Sequence, residues 1–185
     1  MNITYTSLPG VVVVEPRVFS DERGFFLETF RANDYQVLLS PGLCFVQDNH
    51  SHSTRGVVRG LHLQTRKPQG KLVRAVSGEI FDVAVDVDPN SNTFGVWFGI
   101  NLSAENHKQL YIPPGYAHGF QVLSGVADVE YKCTDYYDPG GESGLLWNDP
   151  DVGIQWPIDE GLLAEKDQQL PTLASIAETH EHDCK

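Results

Sequence analysis

Two histidines stand beside glycines in this chain. One is His62 in Arg59-Gly60-Leu61-His62, the other His118 in Pro113-Pro114-Gly115-Tyr116-Ala117-His118-Gly119-Phe120. Imidazole gives and takes protons near neutral pH, because its ordinary pKa is about 6.5. His62 ends a segment that begins with apolar Val57 and Val58. It is therefore expected to face a core, as either a hydrogen-bonded packing residue or a general base. Arg59 lies three positions earlier, on the opposite face of a regular strand. Gly60 between them permits a bulge that would let both serve one pocket. A base needs a partner acid if a proton is to arrive from another direction. Tyr131 and Tyr137 flank Lys132-Cys133-Thr134-Asp135-Tyr136, and a phenol of pKa near 10 can donate to a carbanion or enolate. Tyrosine is equally a strand and core residue. Lys and Arg total only 13. Arg23, Arg59, Lys71 and Lys166 sit beside motif residues and are expected to converge on one concave, phosphate-binding pocket, arginine adding fork geometry.

Metal binding is the competing use of histidine. His62-Leu63-Gln64 carries an amide where a His-x-His pair would supply a second ligand, and glutamine binds transition metals poorly. His50-Ser51-His52 is such a pair, and alternate strand residues share a face. No Glu follows at useful spacing before Gly56, so the stretch reads as a polar strand end or loop. His180, His182 and Cys184 cluster in the tail, where a mobile terminus gives no fixed ligand geometry. The expectation is no metal site.

These side chains need elements to hold them. Short β-branched and apolar segments recur between turn residues: Val11–Glu15, Phe25–Phe30, Cys44–Asn49, Val57–Leu63, Lys71–Val76, Ile80–Val87, Phe94–Leu102, His107–Ile112, Gly119–Leu123 and Ala127–Cys133. Many short strands with regular turns indicate an all-β sandwich or barrel. Helical pattern is confined to Asn33–Leu39, with Asn33 as its cap, and Asp159–Glu165. The chain has no repeat or linker and reads as a single domain over 1–185, with a frayed tail from about residue 174. A net charge of -12 argues against nucleic acid and anionic membranes as partners. Three cysteines without metal or disulfide spacing point to a reducing compartment. With no basic leader and no membrane-length apolar run, the expected location is cytoplasmic.

Pro113–Phe120 matches Pro-x-Gly-x-x-His, a cupin barrel signature. From about Val11 to Leu173 the chain resembles the dTDP-4-dehydrorhamnose 3,5-epimerase family of nucleotide-sugar 4-keto epimerases. The motifs that carry this are Phe19–Glu28, Gln47-Asp48-Asn49-His50-Ser51, Arg59–Gln64, Gln69-Gly70-Lys71-Leu72, Phe81–Asp86, Pro113–Phe120 and Tyr131–Tyr137. Trp147-Asn148-Asp149-Pro150, Trp156-Pro157 and Lys166-Asp167 complete them. The resemblance implies a homodimer of cupin-like jelly rolls with a few short peripheral helices and neither metal nor organic cofactor. Its substrate would be a dTDP-sugar. It also implies roles: His62 as base, Asp167 orienting it, Tyr131 as acid on the far face of the sugar, and Lys71 beside the developing enolate oxygen. Arg23, Glu28, Gln47, Asn49, Arg59, His118, Glu142 and Lys166 would contact the nucleotide-sugar, and Tyr137 would stack on thymine. Ala164 departs from the serine common in the family, and Val87-Asp88 from leucine-arginine. The alternatives are an epimerase acting at C3 or C5 alone, between which and double inversion Tyr131 does not decide, and a cupin that only binds nucleotide-sugar, against which the joint presence of His62, Lys71 and Tyr131 argues.

Overall fold

The computed structural model describes residues 1–39, 42 and 44–183; Cys184 of the tail cluster lies outside them. Along the chain come β1 (Asn2–Tyr5), β2 (Val12–Glu15), β3 (Val18–Asp21), β4 (Gly24–Leu27), α1 (Ala32–Leu38), β5 (Gln47–Thr54), β6 (Val58–Gln64) and β7 (Lys71–Ser77). They are followed by β8 (Glu79–Asp86), β9 (Trp97–Ser103), β10 (Gln109–Ile112), β11 (Tyr116–Val122), β12 (Val126–Cys133), β13 (Glu142–Gly144), α2 (Glu165–Gln168) and α3 (Leu173–Asp183). One six-stranded sheet has the order β1-β2-β10-β7-β12-β5, and a five-stranded sheet the order β13-β6-β11-β8-β9. Every ladder is antiparallel. The architecture is an all-β, cupin-like jelly roll with short helices at its periphery. No described helix is long and apolar enough to cross a membrane.

Alternation decides what reaches the interior. On β12, Ala127, Val129 and Tyr131 join the cluster between the sheets, with Val73 and Ala75 of β7, Ile80 and Ala84 of β8, and Phe120 and Val122 of β11. Asp128, Glu130 and Lys132 take the other face, where they pair with His50 and His52, Arg74, and Asp48. A slip of one residue would exchange the two sets, which fixes the register. The outer face of the five-stranded sheet is covered by a second cluster around Leu61, Val83, Val85 and Leu145. Burying each such side chain stabilises the fold by about 1.5–3 kcal/mol.

Three local expectations are corrected. Asn33 does not cap α1: Arg31 holds the N-cap position without a side-chain cap bond. Tyr35 sets the helix phase, because it is 3% exposed and its hydroxyl donates to Gln109 Oε1 at 2.8 Å. The helix expected over Asp159–Glu165 begins only at Glu165. Leu162 instead pairs with the lead-in to β6, its N–H donating to Gly56 O and its carbonyl accepting from Val58 N, both at 2.9 Å. The tail expected to fray from about residue 174 is helical through Asp183. Its first residue, Leu173, is 8% exposed and donates its N–H to Asp149 Oδ2 at 2.9 Å. Two elements carried no sequence expectation, β1 and β13. Nor did β3, which pairs with β4 in a separate two-stranded ribbon.

Candidate active site

A cavity of about 670 Å³ opens between the two sheets, walled by β5, β7 and β12 from one and β6 and β11 from the other. On β6 the register with β11 pairs His62 with His118 and Arg59 with Phe120, so three steps of β6 span two of β11. The extra residue turns Arg59 and His62 into the same cavity, as expected of a bulge at Gly60. Glycine is required there: Gly60 has φ +116°, and a Cβ would meet the His118 carbonyl oxygen at 2.6 Å.

His62 is held by a carboxylate. Its Nε2 lies 2.8 Å from Asp167 Oδ1, and the side chains are 30% and 4% exposed. Asp167 Oδ2 accepts the Gly60 N–H at 3.2 Å, so one buried carboxylate fixes both the ring and the bulge. A carboxylate accepts hydrogen bonds, which leaves the lone pair of neutral imidazole on the other ring nitrogen. Asp167 comes from α2, whose N-cap is Ala164 without a capping bond.

Lys71 and Tyr131 enter from the opposite sheet. Lys71 is 9% exposed, and its Nζ donates to the His62 carbonyl oxygen at 3.3 Å. Burial pulls its pKa below the ordinary lysine value, and electrostatic interactions with Cys133 and Asp82 oppose that pull. Burial pushes the Tyr131 phenol up and Cys133 adds to it, while Arg59 and Lys166 draw it back. A raised phenol stays protonated and able to donate at neutral pH.

At the mouth, Tyr137 Oη donates to Glu142 Oε2 at 2.8 Å, and Lys166 Nζ to Glu142 Oε1 at 2.6 Å. The Lys166 and Tyr137 hydrogen bonds hold the Glu142 carboxyl below its usual range. The Tyr137 ring is left half exposed. Gln47 Oε1 accepts the Tyr137 N–H at 2.9 Å, and Asn49 completes this wall. Arg59 Nε donates to Ser53 Oγ at 2.9 Å.

Of the thirteen site residues inferred from sequence, eleven line this cavity. Arg23 and Glu28 do not. Arg23 is 86% exposed on the β3–β4 ribbon, paired with Asp21, and Glu28 binds Arg31. Three of the four basic residues therefore converge, with Arg23 the exception. Sequence reasoning missed Asp82, whose Oδ1 lies 2.8 Å from His118 Nε2, with the side chains 0% and 6% exposed. The signal was present: in β8, Ile80, Asp82 and Ala84 share the inward parity, and a charge there needs a partner. Burial holds His118 below its ordinary value, against the pull of Asp82. Gln64, at the position where a second metal ligand would stand, accepts the Asp138 N–H at 3.2 Å. His50 and His52 lie on the outer face of β5, each 3.0 Å from Asp128 Oδ1. Among the described residues no group of three His, Cys, Asp or Glu is disposed to hold a metal.

Known proteins resemble this chain in sequence and fold. The family model described as dTDP-4-dehydrorhamnose 3,5-epimerase matches residues 5–175. A dTDP-4-dehydrorhamnose 3,5-epimerase of Methanothermobacter thermautotrophicus is 54% identical over 173 residues, covering 91% of this chain and 92% of its own. One from Shigella flexneri is 52% identical, covering 90% and 93%. The crystal structure of dTDP-6-deoxy-D-glucose-3,5-epimerase RmlC from Legionella pneumophila, in complex with dTDP-4-keto-L-rhamnose, superposes with a TM-score of 0.91 at 49% identity, covering 94% of this chain and 93% of that one. With the family match spanning both sheets and every cavity wall, the chain belongs to the dTDP-4-dehydrorhamnose 3,5-epimerase family.

Proposed function

We propose that the protein inverts C3 and C5 of dTDP-4-dehydro-6-deoxy-D-glucose to give dTDP-4-dehydro-L-rhamnose. The observation that carries this is the placement of a carboxylate-held imidazole and a phenol on opposing sheets of one cavity, with a buried lysine beside them. Protons at C3 and C5 are acidic because each flanks the C4 ketone, and the carbanion delocalises onto the C4 oxygen. His62 removes the proton with the ring nitrogen that Asp167 leaves free. Lys71 stabilises negative charge at the C4 oxygen in a site of low dielectric, where a fixed cation acts strongly. Tyr131 returns a proton from the other face, which produces inversion rather than simple exchange. His118 contacts the sugar. Arg59 and Lys166 meet the diphosphate, Gln47, Asn49 and Glu142 line the path to the base, and Tyr137 offers its ring to thymine.

Arg23 and Glu28 enter this reading through a homodimer. The β3–β4 ribbon carries three exposed rings, Phe19, Phe25 and Phe26, at 48%, 60% and 65%. Such an apolar tip suits a protein surface better than water. Seated on a second copy, it delivers Arg23 and Glu28 to that copy's cavity.

Proton NMR of the purified protein with dTDP-4-keto-6-deoxyglucose in D2O tests the proposal. Deuterium is expected at both C3 and C5, with the product of double inversion. Label at one carbon alone would make the protein a mono-epimerase, and no label a binding module.

A further inference from the structure

Asp82 is buried at 0% exposure. One oxygen contacts His118, and the other, Oδ2, has no hydrogen-bond partner among the described residues. An orphaned buried carboxylate oxygen costs free energy, and such groups persist where they have another use. The β8 strand of Asp82 belongs to the five-stranded sheet, and the β7 strand of Lys71 to the six-stranded one. Lys71 and His118 line the same cavity, and Asp82 holds His118 from behind, so a buried anion and a buried cation reach the space between the sheets from opposite sides.

We propose that Asp82 is a positioning residue of the reaction: one oxygen fixes the His118 ring, and the carboxylate supplies the counter-charge that keeps Lys71 an ammonium. The proposal rests on the epimerase reading, because it gives Lys71 the enolate charge to stabilise. Lys71 is otherwise poorly supported. Its hydrogen bond runs to a neutral backbone carbonyl, and burial favours the uncharged amine. An amine could not offset charge at the C4 oxygen. The groups around it on other strands are His62 on β6, His118 on β11, and Tyr131 and Cys133 on β12. His118 is held neutral by burial and Tyr131 is protonated at neutral pH. Burial also keeps the Cys133 thiol protonated above its ordinary value, which leaves Asp82 as the standing negative charge acting on Lys71.

The test is a titration of the Lys71 amine by nitrogen-15 NMR, without substrate, in the wild type and in Asp82→Asn, Cys133→Ser and His118→Asn. Removing the opposite charge of Asp82 is expected to lower the Lys71 titration by about one pH unit, tenfold in proton affinity. The alkaline limb of kcat/KM for exchange should fall by the same amount. Cys133→Ser should leave the titration in place. His118→Asn keeps the carboxylate and should leave Lys71 at or above its wild-type value, which keeps the proposal testable if Asp82→Asn does not fold. An unmoved titration in Asp82→Asn, a fall in Cys133→Ser, or a fall in His118→Asn would each overturn it. Failure of the wild type to exchange C3 or C5 protons, with the Lys71 titrations as expected, would instead overturn the epimerase reading and leave the charge coupling standing.

Discussion

Because His62 and Tyr131 reach the cavity from different sheets, removing Tyr131 should leave proton abstraction by His62 intact, whereas removing His62 should suppress both steps. His62→Ala is expected to lower exchange at both carbons by about 10²–10⁴-fold with the melting temperature near wild type. Tyr131→Phe keeps the ring and its packing but deletes the hydroxyl. Exchange of the C5 proton should persist while inversion at C5 falls sharply, as read by isotope content beside product stereochemistry. Inversion at the wild-type rate would assign the acid to another group. His118 carries a pH signature of its own. Its folded pKa is depressed by burial, so below its ordinary pKa the unfolded chain binds the proton first. Stability present above about pH 6.5 is then lost as pH falls toward the lowered value, by up to about 1.4 kcal/mol per pH unit. Urea unfolding from pH 7.5 to 5 should show this slope, and His118→Asn should flatten it. An equal slope in the variant would place the proton elsewhere.

At the scale of elements, the weakest support of the site is α2. It carries both Lys166 and Asp167, spans Glu165–Gln168, and starts at Ala164 with extended φ/ψ of -66° and 150° but no capping side chain. That backbone already suits a serine cap. Ala164→Ser is expected to stabilise the protein by about 0.5–2 kcal/mol in urea unfolding and to leave the His62–Asp167 contact in place. A loss of stability would show that the cavity wall has no room for the hydroxyl. Gly60→Ala should do the reverse. Its Cβ would strike the β11 backbone, and the bulge that brings Arg59 beside His62 would open, so activity and melting temperature should fall together.

Across the whole molecule the open matter is the β3–β4 ribbon, and complementation of inactive variants addresses it. If Arg23 serves a neighbouring cavity, Arg23→Ala and His62→Ala subunits should rescue each other, because a mixed dimer holds one complete site. Random reassortment is expected to restore about a quarter of wild-type activity. No recovery would mean that Arg23 acts within its own chain or not at all. Phe25→Ser with Phe26→Ser should shift sedimentation toward the monomer; an unchanged dimer would move the interface elsewhere.

Period-two alternation made most strands legible from sequence, since a half-buried strand declares its faces through its side chains. The histidine at the end of β6 and the inward tyrosine of β12 were readable for the same reason. The family's motifs added Asp167, which no local pattern would have joined to His62 from 105 residues away. Tertiary structure decided the rest. Backbone pairing with β6 kept residues around Leu162 out of a helix. The docking of Tyr35 onto Gln109 displaced the α1 cap from Asn33. The Asp82–His118 pair formed because two strands adjacent in the sheet, but distant in sequence, place their inward residues side by side. Composition and spacing carry local preference and parity; which charges share a buried space is settled only when the two sheets close on each other.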